Sequence, residues 1–343
     1  MKKALLCGMI VLVLAAPMLA GVVKKTKADV TFRGFGKFSL AQVEKLTAEL
    51  KWADTKSDFK GQGIAGGLAA KTILRSGDTG EIIDLTQSSI AKLDNKKKEY
   101  TVGPIEKIEQ EAEGGKTEAG KKTDEQEAES HVKITKSEFK VEDTGEESTI
   151  NNFPVRKYLV HWLTEWENTE TGDKGSSRLE TLLWTTPMSE SFQKAQQEEM
   201  KFNRAYLEKI GLDVEKTQED VLGMRWMAIL DSFGKTKGQP GRDYSKAAQE
   251  MQKIKGYPIV IDGKYFVTGQ KAEGEGAEGG QEESQGAKEK VGGFLKKALK
   301  KKPADPAASA NEPTLSYHTE VLELSTPDLG AADFQVPAGY KKK

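Results

Sequence analysis

The chain contains three histidines, and one of them has an acidic neighbour at a spacing that suits metal binding. His161 and Glu165 are four residues apart in a segment with strand-like alternation, so both side chains are predicted on one face of a strand. A zinc site needs three or four protein ligands. The other two histidines, His131 and His318, lie in no motif with ligand spacing. We therefore predict no metal site and no metal cofactor.

The usual sequence motifs of catalytic sites are also missing. The sequence has no HExxH zinc motif and no GxSxG nucleophile motif, and its glycine-rich stretches lack the strand–loop–helix context of a phosphate-binding loop. Acid pairs such as Glu165 and Glu167 stand among 53 Asp and Glu residues, so nothing marks any pair as the two carboxylates of a glycosidase. We predict no catalytic residue, no cofactor and no enzymatic activity.

Aromatic residues give the clearest candidates for a binding site. Tyr158, Trp162 and Trp166 have one parity in the strand-like segment 153–166, and Trp184 lies in the segment predicted to return beside it. Either these rings form the core of a sheet, or they line a concave cavity for an apolar ligand such as an acyl chain. Under the second interpretation, the ligand-binding residues are Tyr158, Trp162, Trp166 and Trp184.

A short basic segment, GGFLKKALKKK at 292–302, suggests contact with a membrane. As a helix it has an apolar face and a lysine-rich face, which is the pattern of helices that lie on anionic lipid surfaces. The predicted membrane-surface residues are Phe294, Leu295, Lys296, Lys297, Leu299 and Lys300. The alternative is a solvated basic end of a disordered insert.

Most of the remaining pattern is that of short strands. A ladder at 71–102 consists of brief apolar runs separated by Gly, Asp, Asn and Lys, which predicts consecutive antiparallel hairpins. The ladder and the ending at 321–340 are interpreted as two edges of one sheet. Asp262-Gly263 predicts a two-residue hairpin between 257–261 and 264–268. Further strands are predicted at 28–38, 131–141, 153–166 and 178–186.

Helices are predicted in the middle of the chain. Ser189 is a suitable N-cap for a helix with apolar residues at helical spacing, and Gly211 is a suitable stop. A second helix is predicted at 217–230 and a third at 245–255, with Gly256 as its stop. Strands with a few helices between them predict an α+β fold, in which a curved antiparallel sheet is covered by the helices.

The N-terminus has the pattern of an export signal. Lys2 and Lys3 precede an uncharged apolar run, and the small Ala20 suits cleavage by a signal peptidase. The alternative is an uncleaved N-terminal membrane anchor. Either way, the rest of the chain is predicted in the periplasm or cell envelope. Cys7 is the only cysteine and lies inside the signal, so no disulfide is predicted in the exported part.

Composition limits the partners and the domain organisation. Lys and Arg number 52 against 53 Asp and Glu, so no net charge attracts nucleic acid, and no nucleic-acid partner is predicted. The mean hydropathy of −0.60 predicts disordered inserts within a folded chain. The predicted division is a signal peptide at 1–20, half of the sheet at 21–102, a disordered acidic insert at 103–131, strands and helical cover at 132–268, a disordered insert with the basic segment at 269–313, and closing strands of the same domain at 314–343.

Several segments together resemble a known family. They are EIIDLTQSSIAKLDNKKKEYTV at 81–102, NNFPVRKYLV at 151–160, LWTTP at 183–187, MQKIKGYPI at 251–259, and the ending with Phe334, Pro337, Gly339 and Tyr340. The chain resembles exported proteins related to the lipoprotein carriers LolA and LolB, and its ending resembles that of an uncharacterised bacterial family with a carrier-like fold. The resemblance implies a half-open antiparallel barrel closed by helices around an apolar cavity for lipid acyl chains.

These observations predict an exported, non-enzymatic binding or carrier protein that holds a lipid or another apolar ligand in a half-barrel cavity. The alternative is a structural or interaction protein of the cell envelope with a filled core and no small-molecule ligand. Under either hypothesis, the predicted partners are an envelope membrane or an envelope protein.

Overall fold

The computed structural model describes residues 19–63, 67, 76–107, 132–211, 244–268 and 312–343. Most of the predicted signal peptide, most of the acidic insert, the helix predicted at 217–230 and the basic segment at 292–302 lie outside the described residues. Within the described residues, strands dominate and two α-helices are present.

The chain forms fourteen strands within the described residues. The strands are β1 (Leu19–Ala20), β2 (Val22–Phe32), β3 (Gly36–Leu46), β4 (Leu50–Gly61), β5 (Gly77–Asp84), β6 (Ser89–Asp94), β7 (Glu99–Pro104), β8 (Val132–Ile150), β9 (Phe153–Asn168), β10 (Lys174–Thr186), β11 (Tyr257–Thr268), β12 (Leu315–Ser325), β13 (Asp328–Leu329) and β14 (Lys341–Lys342). The helices are α1 (Glu190–Lys209), α2 (Tyr244–Met251) and a 3-10 turn (Ala331–Phe334).

Twelve of these strands form one open sheet. Their order is β14-β7-β6-β5-β4-β3-β2-β12-β11-β10-β9-β8, and β1 pairs separately with β13. All neighbours in the large sheet are antiparallel except β14 and β7, which are parallel. Strands β8 and β14 are the two outer edges, so the sheet is not closed into a barrel. The prediction of a large antiparallel sheet with few helices is therefore confirmed.

The predicted ladder corresponds to β5, β6 and β7, which pair in sequence as hairpins. Another hairpin joins β8 to β9 through Asn151 and Asn152, whose φ angles are 49° and 66°. Two consecutive residues with positive φ form the turn that matches the twist of paired strands, and asparagine tolerates this conformation. Strand β8 therefore continues to Ile150, nine residues beyond the predicted end at Val141.

Two other sequence interpretations are wrong. The segment predicted as one opening strand at 28–38 is the meeting point of β2 and β3, which turn at 33–35 with Gly34 at φ 72°. The closing strand β12 is not an edge of the sheet, because it pairs with β2 on one side and β11 on the other. It therefore lies at the centre of the sheet.

The hairpin predicted at Asp262-Gly263 is also wrong, since β11 continues through both residues. Gly263 lies opposite Tyr317 of β12, and the Tyr317 ring occupies the space above it. A Cβ atom on Gly263 would lie 2.1 Å from Cζ of Tyr317. The glycine therefore serves a close packing contact in a strand, where an aromatic ring covers the missing side chain.

Replacing Gly263 by alanine is expected to lower the free energy of unfolding by about 2–3 kcal/mol, because overpacking forces Tyr317 out of its position. Tyr317 is 3% exposed, and its hydroxyl forms a 3.1 Å hydrogen bond with Thr181. Urea unfolding measures the change. Gly103→Ala is the matched control, since its added Cβ meets no atom within 4 Å. Equal stability of the two variants would contradict this packing role.

The sheet has two differently covered faces. We call the face of Val22 and Val30 the inner face, and both helices pack on it. The opposite, outer face carries Ile82 and Leu93, which are covered by residues 326–343, here called the C-terminal tail. Side chains alternate along a strand, so neighbouring residues of one strand point to opposite faces of the sheet.

Helix α1 begins and ends where the sequence predicts. The Ser189 side chain accepts a hydrogen bond from the Phe192 N–H, and Gly211 follows the helix at φ 79°. Phe192, Ala195 and Phe202 are buried against the sheet. Helix α2 ends at Met251, earlier than predicted, and Gly256 at φ 95° precedes β11.

The C-terminal tail is fixed to the outer face by apolar and polar contacts. Leu329 and Phe334 are buried in a cluster with strands β5 and β6, and Tyr340 packs against the same cluster. The Tyr340 hydroxyl donates to the Asn95 side chain at 2.9 Å, and Lys45 pairs with Asp333 at 2.9 Å. The tail then ends as β14 beside β7.

Candidate ligand site on the inner face of the sheet

Charged residues meet beneath α1 in the middle of the apolar inner face. Lys24 of β2 donates to Oε1 of Glu199 on α1, and its Nζ lies 3.9 Å from Oε1 of Glu44. Lys51 Nζ lies 2.6 Å from the other Glu44 oxygen. The Tyr257 hydroxyl of β11 lies 3.2 Å from each Glu199 carboxylate oxygen. We call these five residues the Lys24 cluster.

The positions of two members follow from local sequence pattern. Lys24 has the parity of Val22 and Val30 in β2, so it must point to the inner face. Glu199 is on the helical stripe that begins with Phe192, and its side chain retains only 17% exposure. Strand and helix therefore each present one charge in an apolar row, and the two charges pair.

The environment fixes the protonation states of the cluster. Burial alone lowers the pKa of Lys24, but the oxygens of Tyr257, Glu199 and Glu44 outweigh burial and raise it above its usual value. Burial also raises the pKa of Tyr257, an effect that Lys24 only partly counters. Lys24 is therefore a cation at physiological pH, and Tyr257 is a neutral phenol able to donate its proton to Glu199.

Apolar side chains flank the Lys24 cluster on two sides. One group, around β2, β3 and β5, packs against the C-terminal half of α1 and contains Val22, Leu46, Ile83, Leu85, Ala195 and Phe202. The other, around β9 and β11, packs against Phe192 and contains Val155, Tyr257, Ile259 and Val260. The cluster is thus a polar spot between two apolar surfaces.

Three of the four predicted ligand-binding residues lie on the inner face, at different depths. Tyr158 is 2% exposed and packs in a cluster with Met251 of α2. Trp162 is 5% exposed and makes an edge-to-face contact with Phe139 at 5.6 Å. Trp166 is half-buried, with its ring over Gly175.

Trp184 is separated from the other three. The turn after β9 sets Glu167 opposite Lys174, and this register places Trp184 opposite Lys157. Trp184 therefore lies on the opposite face of β9 and β10 from Tyr158 and Trp162. There it packs against the apolar group around Val155 and Phe192, with the Lys157 ammonium 5.5 Å from its ring centre. The expectation that Trp184 meets the tryptophans of β9 across the hairpin is wrong. Trp184 pairs with Lys157, whose side chain lies on the other face of β9 from Tyr158 and Trp162.

The described residues bear on metal binding and on membrane-spanning helices, but not on the basic segment. No group of three or more His, Cys, Asp or Glu residues in the described ranges is arranged to hold a metal ion. None of the helices in the described part of the chain is long and apolar enough to cross a membrane. The predicted membrane-surface residues Phe294, Leu295, Lys296, Lys297, Leu299 and Lys300 lie outside the described residues.

Sequence reasoning did not select the Lys24 cluster as a site. Two of its members carried a readable signal: a lysine on the apolar parity of β2 and a glutamate in the apolar stripe of α1. Tyr257 carried none, because its role depends on β11 lying near β2, which is distant in sequence. Glu44 and Lys51 carried none, although they pair across the short turn between β3 and β4. Comparison with protein families, with curated proteins and with solved structures finds no match for the chain.

Proposed function

We propose that the protein is an exported, non-enzymatic binding or carrier protein of the periplasm or cell envelope. It holds a lipid or another apolar ligand between the inner face of the sheet and α1. The observation that carries this proposal is the apolar surface of the sheet beneath α1, which runs from β9 to β6 and has paired charges at its middle. The lipid-carrier resemblance of the sequence agrees with it.

The span of α1 supports a curved sheet of the half-open barrel type. Phe192 contacts Phe153 of β9 with 5.7 Å between ring centres, and Lys209 donates to Ser88 beside β6 at 2.7 Å. The helix rises about 26 Å between these residues, whereas the seven strand-to-strand steps from β9 to β5 measure about 34 Å along the sheet. A sheet that bends around α1 brings both ends into reach.

Native mass spectrometry of protein purified gently from the cell envelope tests the proposal. We expect a bound apolar molecule that denaturation releases, and uptake of a fluorescent fatty acid by the delipidated protein. The free fluorophore without its acyl chain is the control for adsorption. A ligand-free mass together with no uptake would contradict a carrier function. N-terminal sequencing of the same sample tests cleavage after Ala20 against the membrane-anchor alternative.

One observation favours a second candidate, a structural or interaction protein with a filled core. Tyr158 and Leu183 are buried in contact with Met251 and Ile254, as in an ordinary core. This candidate predicts a ligand-free protein that docks to the envelope through its basic segment. Co-sedimentation with anionic vesicles, before and after deletion of 292–302, tests that docking, and unchanged weak binding would remove the membrane role.

A further inference from the structure

We propose that Lys24 and Tyr257 form a binding site for the carboxylate of the ligand, and that Glu199 of α1 occupies this site when no ligand is bound. The ligand class is then a long-chain carboxylate, such as a fatty acid. This inference rests on the proposed function, because it names the chemistry of the ligand on the same inner face.

The geometry around Glu199 is that of a recognised carboxylate. The Lys24 ammonium donates to Oε1, and the Tyr257 hydroxyl lies 3.2 Å from both oxygens. Hydrogen bonds with an ionised partner are the stronger kind in proteins. The Tyr257 ring is 6% exposed and lies 5.1 Å from the Phe192 ring, so packing fixes the direction of its hydroxyl.

The charges on the sheet favour an anion at this position. Two lysines, Lys24 and Lys51, face one glutamate, Glu44, so the sheet side of the cluster has one excess positive charge. Glu199 supplies the balancing negative charge from α1. The neighbouring Glu198 does not share this role, since it pairs with Lys201 of the same helix at 2.8 Å. A ligand carboxylate would balance the excess positive charge of Lys24 and Lys51 in the same way as Glu199.

The apolar surroundings suit the chain of such a ligand. Val22 and Leu46 lie on one side of the site, and Val155 and Ile259 lie on the other. When the carboxylate of a ligand binds Lys24, its hydrocarbon chain can therefore contact apolar side chains in either direction. Because Glu199 and the ligand compete for the same donors, ligand binding requires the middle of α1 to move away from β2.

Isothermal titration of the delipidated full chain with oleate and with oleyl alcohol tests the site. The two probes share a chain and differ in charge. Wild type is expected to bind oleate at least tenfold more tightly than the alcohol, since hydrogen bonds to charged groups carry about that discrimination. Glu199→Gln, which removes the competing charge, is expected to raise oleate affinity about tenfold and to raise alcohol affinity less.

Tyr257→Phe in the Glu199→Gln background is the loss variant, because it keeps the ring, removes only the hydroxyl and has no glutamate that competes for that hydroxyl. We expect about tenfold weaker oleate binding than in Glu199→Gln alone, and a smaller change for the alcohol. Glu208→Gln is the control on the exposed side of α1, where the Glu208 side chain is 62% exposed. Thermal unfolding followed by circular dichroism establishes that each variant is folded.

The outcomes separate this inference from the proposed function. Equal binding of oleate and alcohol to wild type, to Glu199→Gln and to the double variant would overturn the carboxylate site and leave the carrier function in place. No binding of either probe to wild type or variants would overturn both. Oleate-selective binding that strengthens in Glu199→Gln and weakens again in the double variant supports the site.

Discussion

Replacing Lys24 by methionine is expected to lower the free energy of unfolding by about 3 kcal/mol, because it leaves the Glu199 carboxylate beneath α1 without its cation. The side chains of Lys24 and Glu199 are only 18% and 17% exposed, so solvent screens the pair weakly. The double variant Lys24→Met, Glu199→Met is expected to recover most of the loss, since it removes both charges and keeps similar volume. Urea unfolding of the three proteins gives the values.

Lys25→Met is the matched control for this prediction. Lys25 is the next residue of β2, points to the outer face and pairs with Glu323, with side-chain exposures of 43% and 66%. Exposed pairs of this kind contribute about 1 kcal/mol or less. If Lys24→Met costs no more than Lys25→Met, the Lys24 cluster is not an important contact of α1.

The pH dependence of the Lys24 contribution has a definite sign. The pKa of Lys24 is raised in the folded protein, so the stability it supplies is fully present below its unfolded value of about 10.4 and is lost only as pH rises through the folded value. The difference between wild type and Lys24→Met is therefore expected to stay constant between about pH 6 and 9.

Replacing Phe334 by alanine is expected to lower the free energy of unfolding by about 3–4 kcal/mol, because it opens a cavity beneath the C-terminal tail. Phe334 is 7% exposed and packs in one cluster with Ile82 and Leu93. Gln335→Ala changes the next residue, which is exposed, and is expected to stay within about 0.5 kcal/mol of wild type. Chemical unfolding monitored by circular dichroism measures both variants.

Limited proteolysis of the same two variants shows which part of the protein the lost stability affects. Undocking of the tail in Phe334→Ala is expected to expose 326–343 to cleavage before the rest of the sheet unfolds. A Phe334→Ala protein as stable and as protease-resistant as Gln335→Ala would show that the tail adds little to the fold.

The alternation, turn and capping residues of the sequence predicted several strands and one helix correctly. The ladder β5 to β7, the pair β9 and β10, and the limits of α1 were readable because alternation, turns and caps depend on nearby residues. The hairpin predicted at Asp262-Gly263 is wrong because the glycine is required by the ring of Tyr317, a residue distant in sequence. The face of Trp184 required the hairpin register, and alternation alone leaves that register open.

The strand order and most of the candidate site lay beyond such reasoning. Periodicity does not say that β12 pairs with β2, so residues 321–325 were assigned to an edge although they lie at the centre. Lys24 and Glu199 were visible as single charges in apolar rows, but their pairing joins a strand to a helix far along the chain. Phe334 and Tyr340 of the tail, singled out by the resemblance, both pack on the outer face.

The pairing of β2 with β12 also determines when the sheet is completed during synthesis. Val30 and Tyr317 are partners although they stand near opposite ends of the chain. Until residues 315–325 have been made, β2 has a free edge and β11 lacks its neighbour, and unpaired edges of this kind favour aggregation. The sheet is therefore completed late in synthesis, and a chain truncated before β12 is expected to be insoluble.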